Sequence, residues 1–214
     1  GGAHINFNER YNRFLKSDSV YRQPFIDASI GLVGSGRAGG ITHRTGVGYE
    51  AALGMWLNPV FGLRGGLQAQ SHHWMSRKVN MQGVKVIENS DQVLAGVRAE
   101  VMVNPLNIIK SWRDKKGGHD FDLNLLGGVD FGATQKANVI GSSTGGYRSY
   151  YYGLTAAMQV LCRINNPGTY IYVEPRLSTA NYNVPNASGV GTRNMRSPYL
   201  SMNVGTRVYM NQHA

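Results

Sequence analysis

The sequence predicts an all-β protein, an eight-stranded antiparallel transmembrane up-and-down β-barrel. Three observations point there. Glycine supplies 28 of the 214 residues, about 13% against a usual share of about 7%, and glycine costs backbone entropy in any helix. Polarity alternates with a period of two residues, the strand period, through eight successive runs. One face of those runs is nearly free of charge, whereas the other carries charges of both signs at mid-strand.

The runs follow in order. The first sets Ile26, Ala28, Ile30 and Leu32 against Asp27, Ser29 and Gly31. The second sets Val47, Tyr49, Ala51, Leu53 and Met55 against Gly48, Glu50, Ala52 and Gly54, and the third sets Phe61, Leu63, Gly65, Leu67 and Ala69 against Arg64, Gly66, Gln68 and Gln70. The fourth places Val93, Ala95, Val97, Ala99, Val101 and Val103 opposite Gly96, Arg98 and Glu100. Phe121, Leu123, Leu125, Val129 and Phe131 then oppose Asp122, Asn124, Gly128 and Asp130. The sixth run has Tyr152, Leu154, Ala156, Met158 and Val160 against Gly153, Thr155, Gln159 and Arg163. In the seventh, Ile171, Val173, Pro175 and Leu177 oppose Tyr172, Glu174, Arg176 and Ser178; in the last, Leu200, Met202, Val204 and Val208 oppose Ser201, Asn203, Gly205 and Arg207. Each run covers about 9–13 residues, more than the 5–6 of a common soluble strand and near what a tilted membrane strand needs.

The connections alternate too. Asn58-Pro59 and Asn165-Asn166-Pro167-Gly168 read as tight turns, while Ser35–Thr45, Ser71–Gln92, Thr134–Arg148 and Asn181–Arg196 read as long polar loops. Short turns at one end and long loops at the other is the pattern of a bacterial membrane barrel. Asn104–Asp120 departs from it: Leu106, Ile108, Ile109 and Trp112 precede Arg113, Lys115 and Lys116. It reads as an amphipathic segment at the interface, or as an ordinary ordered loop.

Glu50, Arg64, Arg98, Glu100, Glu174, Arg176 and Arg207 share the polar face with Asp122, Asp130 and Arg163. A narrow lumen needs small residues and paired ions, because an unpaired buried charge costs several kcal/mol. The first seven are therefore expected to form a lumenal ion network with a structural role. Phe25, Trp56, Phe61, Trp74, Trp112, Phe121, Tyr150, Tyr151, Tyr152, Tyr170, Tyr199 and Tyr209 lie mostly near run ends, where membrane barrels carry two aromatic girdles.

Other features carry less. Ser71, His72 and Glu88 could be imagined as a catalytic trio of a lipid A-modifying barrel, though an exposed His72-His73 loop pair is the simpler reading. His4, His43, His119 and His213 show no metal-ligand spacing. Gly34–Gly40 lacks the following helix that a phosphate-binding loop requires. Cys162, the only cysteine, falls on the apolar face, and one cysteine excludes a disulfide framework. The net charge of +10 places Arg37, Arg44, Arg77, Lys78, Lys85 and Arg148 in the long loops, where anionic lipopolysaccharide would attract them. Nucleic acid is the weaker partner, since the cations are scattered and no basic helix or stacking motif is present.

Several segments resemble the outer membrane protein A-type eight-stranded barrels, especially those of Bacteroidetes. The carriers are Val97 to Asn107, Leu126 to Gly132, Val173 to Ser178 and Leu200 to Arg207. The resemblance covers roughly Pro24 to Met210, and Asn104-Pro105-Leu106-Asn107 stands where the family has an Asn-Leu-Ser-Asn-like turn. It implies a barrel in the outer membrane of a Gram-negative bacterium, with both termini periplasmic. Family members commonly carry a C-terminal peptidoglycan-binding domain, which these residues do not include.

The expected organisation is a segment 1–23 that is a periplasmic helix, plug or linker, a barrel 24–210, and a tail 211–214. Beginning with Gly1-Gly2, the chain reads as a mature or trimmed product. The expected function is structural or interactional, as a membrane anchor or an accessory subunit of a larger outer-membrane assembly, without cofactor, metal or catalysis. Its partners would be outer-membrane lipid, lipopolysaccharide and other outer-membrane proteins. The alternatives are a lipid A-modifying enzyme and a soluble lipocalin-like ligand-binding barrel.

Overall fold

A computed structural model describes residues 23–34, 41–79, 83, 85–109, 120–136, 148–164, 168–185 and 192–210. The expected segment 1–23 lies outside them save for Gln23, as do the tail 211–214, Trp112 and residues 35–40 of the glycine-rich stretch. The strand segments are β1 (Pro24–Gly34), β2 (Ile41–Arg44), β3 (Gly46–Trp56), β4 (Phe61–Val79), β5 (Lys85–Val103), β6 (Phe121–Lys136), β7 (Arg148–Arg163), β8 (Thr169–Pro185) and β9 (Thr192–Tyr209).

β2 and β3 are two parts of one barrel strand, for they pair with consecutive stretches of β4, residues 73–76 and 62–70. The register moves by one residue between Arg44↔His73 and Gly48↔Gln70, the signature of a β-bulge. Gly46 sits in the bulge because a Cβ there would lie 1.8 Å from the Ser71 carbonyl oxygen. The Ser71 hydroxyl closes the gap: it accepts from Val47 N at 2.9 Å and donates to Val47 O at 3.2 Å. With these two parts merged, eight antiparallel strands follow one another around the wall, and β9 returns to pair with β1 from Phe25↔Tyr209 to Gly34↔Leu200. The wall thus returns on itself, and the barrel is closed.

The layering is inverted relative to a soluble protein. Ile30, Leu53, Leu67, Val97, Val129, Leu154, Leu177 and Leu200 face outward and are about half exposed, whereas arginines and carboxylates fill the interior. Within the wall, the outward positions of the stretches 26–32, 47–55, 61–69, 93–103, 121–133, 150–164, 171–179 and 198–210 carry no charged side chain. Water would penalise such a wall, and lipid would not. This overturns the soluble ligand-binding barrel, whose charges would face out.

Two expectations need correction. β4 and β5 each run 19 residues and stay paired to Val79↔Lys85, so most of the expected loop Ser71–Gln92 is a hairpin. β8 and β9 likewise pair to Pro185↔Thr192 within the expected loop Asn181–Arg196. Of the aromatics assigned to the girdles, Phe25, Trp56, Tyr151 and Tyr199 are buried inside, while Phe61, Phe121, Tyr150 and Tyr152 face out. Their strand phase decides this, since each of the four shares parity with the inward residues of its own strand.

A charge on the wall tests the inversion. Leu67→Arg, at a 66% exposed position, is expected to lower folding stability in phospholipid vesicles by about 2–4 kcal/mol if it lies near the bilayer midplane. Urea unfolding of vesicle-embedded protein measures it, and an unchanged midpoint would contradict a lipid-facing wall.

Candidate functional site

The inward phase of the strands brings five carboxylates, Asp27, Glu50, Glu100, Asp130 and Glu174, to four guanidiniums, Arg64, Arg98, Arg176 and Arg207, all of them buried. Three contacts follow directly from strand register. Asp27 stands opposite Arg207, Arg64 opposite Glu100, and Arg98 opposite Asp130, and facing residues on one side of a sheet are near neighbours. Arg207 Nε and Nη2 each donate to one Asp27 oxygen at 2.7 Å, a two-pronged pair. Arg98 Nε meets Asp130 Oδ1 at 2.6 Å.

Arg64 is the hub. Its Nε lies 2.9 Å from Asp27, Nη2 is 2.5 Å from Glu50, and Nη1 is 2.6 Å from Glu100 and 3.6 Å from Glu174. Glu50 also pairs with Arg98, and Glu100 with Arg176. Arg176 Nη2 reaches Glu174 at 2.6 Å, while its Nη1 donates to the Thr155 hydroxyl at 2.7 Å. Gln159 ties the remaining corner, donating to Glu174 at 2.9 Å and accepting from Arg207 at 2.8 Å. Every one of the eight barrel strands contributes at least one of these side chains.

The network continues toward the long-loop end through a chain of amides. Arg98 Nη2 donates to Gln68 Oε1 at 2.5 Å, Gln68 Nε2 donates to Tyr151 Oη at 3.0 Å, and Gln70 donates to Gln68 at 3.0 Å. His72 Nε2 lies 3.2 Å from Gln70 Oε1, and its ring meets Tyr199 edge-on at 5.2 Å. Glycines make room for Tyr151, since a Cβ on Gly96 would come within 2.6 Å of its hydroxyl and one on Gly132 within 2.6 Å of its ring. Toward the short-turn end the interior turns apolar. Arg207 stacks over Phe25 at 3.9 Å, and Phe25, Trp56, Met102, Leu126 and Ala157 close that end, with Trp56 Nε1 donating to Tyr209 Oη at 3.2 Å.

The structure thus brings Glu50, Arg64, Arg98, Glu100, Glu174, Arg176 and Arg207 into one cluster. Sequence reasoning left Asp27 and Asp130 out of that set, and the missing signal was register, because each faces an arginine on the neighbouring strand. Ser71, His72 and Glu88 are not brought together: His72 is buried inside, Ser71 is engaged in the bulge, and Glu88 pairs with Ser76, five positions farther along the hairpin. Cys162 is exposed on the outer wall.

Of the expected interfacial segment, Leu106–Ile108 forms a single 3₁₀ turn, Ile108 and Ile109 are exposed, and Trp112 is outside the described residues. The turn is locked to its neighbour. Asn107 N donates to Asn104 Oδ1 at 3.1 Å, Asn107 Nδ2 to Pro59 O at 2.8 Å, and Asn104 Nδ2 to Asp122 Oδ1 at 2.6 Å. Asn58 Oδ1 accepts from Val60 N at 2.8 Å and Phe61 N at 2.7 Å, holding the adjoining turn.

A closed antiparallel wall with an apolar outside and an ionic inside defines a transmembrane barrel of the outer-membrane type. The fold is similar to that of the outer membrane protein OprG from Pseudomonas aeruginosa, with a TM-score of 0.57 and 10% identity over 90% of this chain and 97% of that one. It is also similar to Neisserial surface protein A, with a TM-score of 0.50 and 12% identity over 87% of this chain and 95% of that one. At these identities the likeness is one of fold. No protein-family model and no curated protein matches the chain.

Removing the hub leaves carboxylates buried and underpaired. Arg64→Met is expected to destabilise the barrel by about 3–5 kcal/mol, the range for breaking a buried ion pair from one side, seen as a lower urea midpoint in detergent. Gly96→Val, which drives a side chain into the space of Tyr151, is expected to cost about 1–3 kcal/mol by overpacking in the same measurement.

Proposed function

We propose that this chain is an integral outer-membrane barrel of a Gram-negative bacterium with a structural or interaction role, as an accessory subunit of a larger outer-membrane assembly or as a membrane anchor, and not an enzyme or a wide pore. The observation that carries this reading is the filled interior. Nine buried ionic side chains span the lumen from wall to wall and an apolar cluster closes one end, in a barrel size whose interior side chains fill. A barrel whose described interior is filled in this way acts through its outside.

The lumenal ions then hold the scaffold. Periplasmic termini are supported by the join of β1 and β9 at the short-turn end, where Met210 N donates to Pro24 O at 2.9 Å, because bacterial barrels keep their short turns periplasmic. Lipopolysaccharide is the lipid partner that the net charge of +10 favours. The finer assignment to the outer membrane protein A-type barrels of Bacteroidetes rests on the segments Val97 to Asn107 and Leu200 to Arg207.

Planar lipid bilayers test the absence of a pore. The purified protein is expected to give no sustained conductance steps of porin size, and such steps would overturn the reading. Cross-linking in intact outer membranes, followed by mass spectrometry, then asks for the assembly. An outer-membrane protein linked at reproducible wall or turn positions supports the subunit role, and links confined to lipid leave the anchor.

A further inference from the structure

The two adjoining turns at the short-turn end carry an unusual amount of uncovered apolar surface. Leu57, between β3 and β4, is 48% exposed; Ile108 and Ile109, after β5, are 63% and 54% exposed. All three lie beyond the last β4–β5 pair, Phe61↔Val103, and so beyond the wall itself. Water-facing turns of a barrel are ordinarily polar, and a contiguous apolar patch marks an interaction surface.

The two turns are joined to each other and border the wall. Asn107 Nδ2 donates across to Pro59 O at 2.8 Å and Asn104 N to Val60 O at 2.8 Å, so the two turns form one unit. Met55, Phe61 and Phe121, the outward residues at the ends of the adjacent strands, are themselves exposed and apolar. The chemistry that covers the wall thus extends onto the turns. The residues that follow in sequence include Lys110, Arg113, Lys115 and Lys116, and a sequence that joins apolar and basic residues matches an anionic lipid surface.

From this continuity and charge we infer that Leu57, Ile108 and Ile109 form a membrane foot, docked at the headgroup–acyl boundary of the leaflet on the short-turn side, with anionic phospholipid as its partner. The inference rests on the proposed membrane reading and adds to it a specific lipid contact. The foot fixes the depth of the barrel in the bilayer, and it leaves these turns unavailable to a water-borne protein partner.

Site-directed fluorescence tests it. The single native Cys162, exposed on the outer wall, serves as the lipid-contact reference. Ile108→Cys in a Cys162→Ala background carries the same fluorophore, and Leu57→Cys is the second position should the first variant fold poorly. Each is reconstituted in vesicles of phosphatidylcholine, with and without phosphatidylglycerol. The turn labels are expected to be quenched by headgroup-proximal nitroxide lipid, and their iodide quenching to fall by about threefold when phosphatidylglycerol is present, as for an amphipathic element drawn to an anionic interface. Strong iodide quenching in both vesicles, with Cys162 still lipid-quenched, would overturn the foot while the barrel stands. Loss of lipid quenching at Cys162 itself would overturn both.

Discussion

Arg64 is the residue on which the rest of the structure depends. One guanidinium on β4 faces carboxylates from β1, β3, β5 and β8. A buried ion cluster of this kind is weak evidence for net stability, because desolvation offsets much of the attraction. Its force here is in what it excludes. A slip of one residue in any strand would turn that strand's ions toward lipid and its leucines toward the other ions. Few alternative pairings of the same eight strands keep every charge out of the hydrocarbon. The cluster thus specifies register and inside from outside at once.

Packing follows from the same constraint. The arginines and tyrosines that fill a narrow lumen need space, and inward glycines on facing strands supply it. Gly54 lies under the Phe25 ring, Gly205 under Tyr172, and Gly96 and Gly132 under Tyr151. Large side chains on one strand thus meet bare backbone on the next, as in other small barrels whose interiors are filled by alternating large and small residues. The glycine excess is therefore a packing feature of the interior as well as a backbone one.

Much of this was legible in the sequence, for identifiable reasons. Strict alternation in eight runs, with charge on one face only, is a strong signal, and it placed the residues named in those runs on the correct side. The four misassigned aromatics show where a weaker cue was preferred. Phe25 shares parity with Asp27, and Tyr151 with Thr155, so the period pointed inward while nearness to a strand end suggested a girdle. Hairpin lengths were not legible, because beyond the bilayer both faces of a ribbon are wet and alternation loses its cause. Which ions meet was not legible either. Pairing Asp27 with Arg207 requires that the last strand close on the first, a property of the whole barrel and not of either segment.

With its interior occupied, the barrel differs from end to end in ways that bear on what it can contact. Seven pairs of the β4–β5 hairpin, from His73↔Asp91 to Val79↔Lys85, continue past the last β5–β6 pair, Gln92↔Lys136, roughly 24 Å at the rise of an extended strand. β2 follows this ribbon from Arg44↔His73 to Ile41↔Ser76, and the bulge at Gly46 lets it do so without breaking the ladder below. The long-loop end therefore carries a three-stranded ledge whose stability comes from its own pairing. At the other end two hydrogen-bonded turns sit flush with the strands and present aliphatic side chains. Under the proposed reading, a paired ledge of this kind suits contact with large partners, whereas a short apolar end suits the bilayer. The interaction role proposed for the protein would accordingly fall to the wall and the ledge, with the ionic lumen holding both in place.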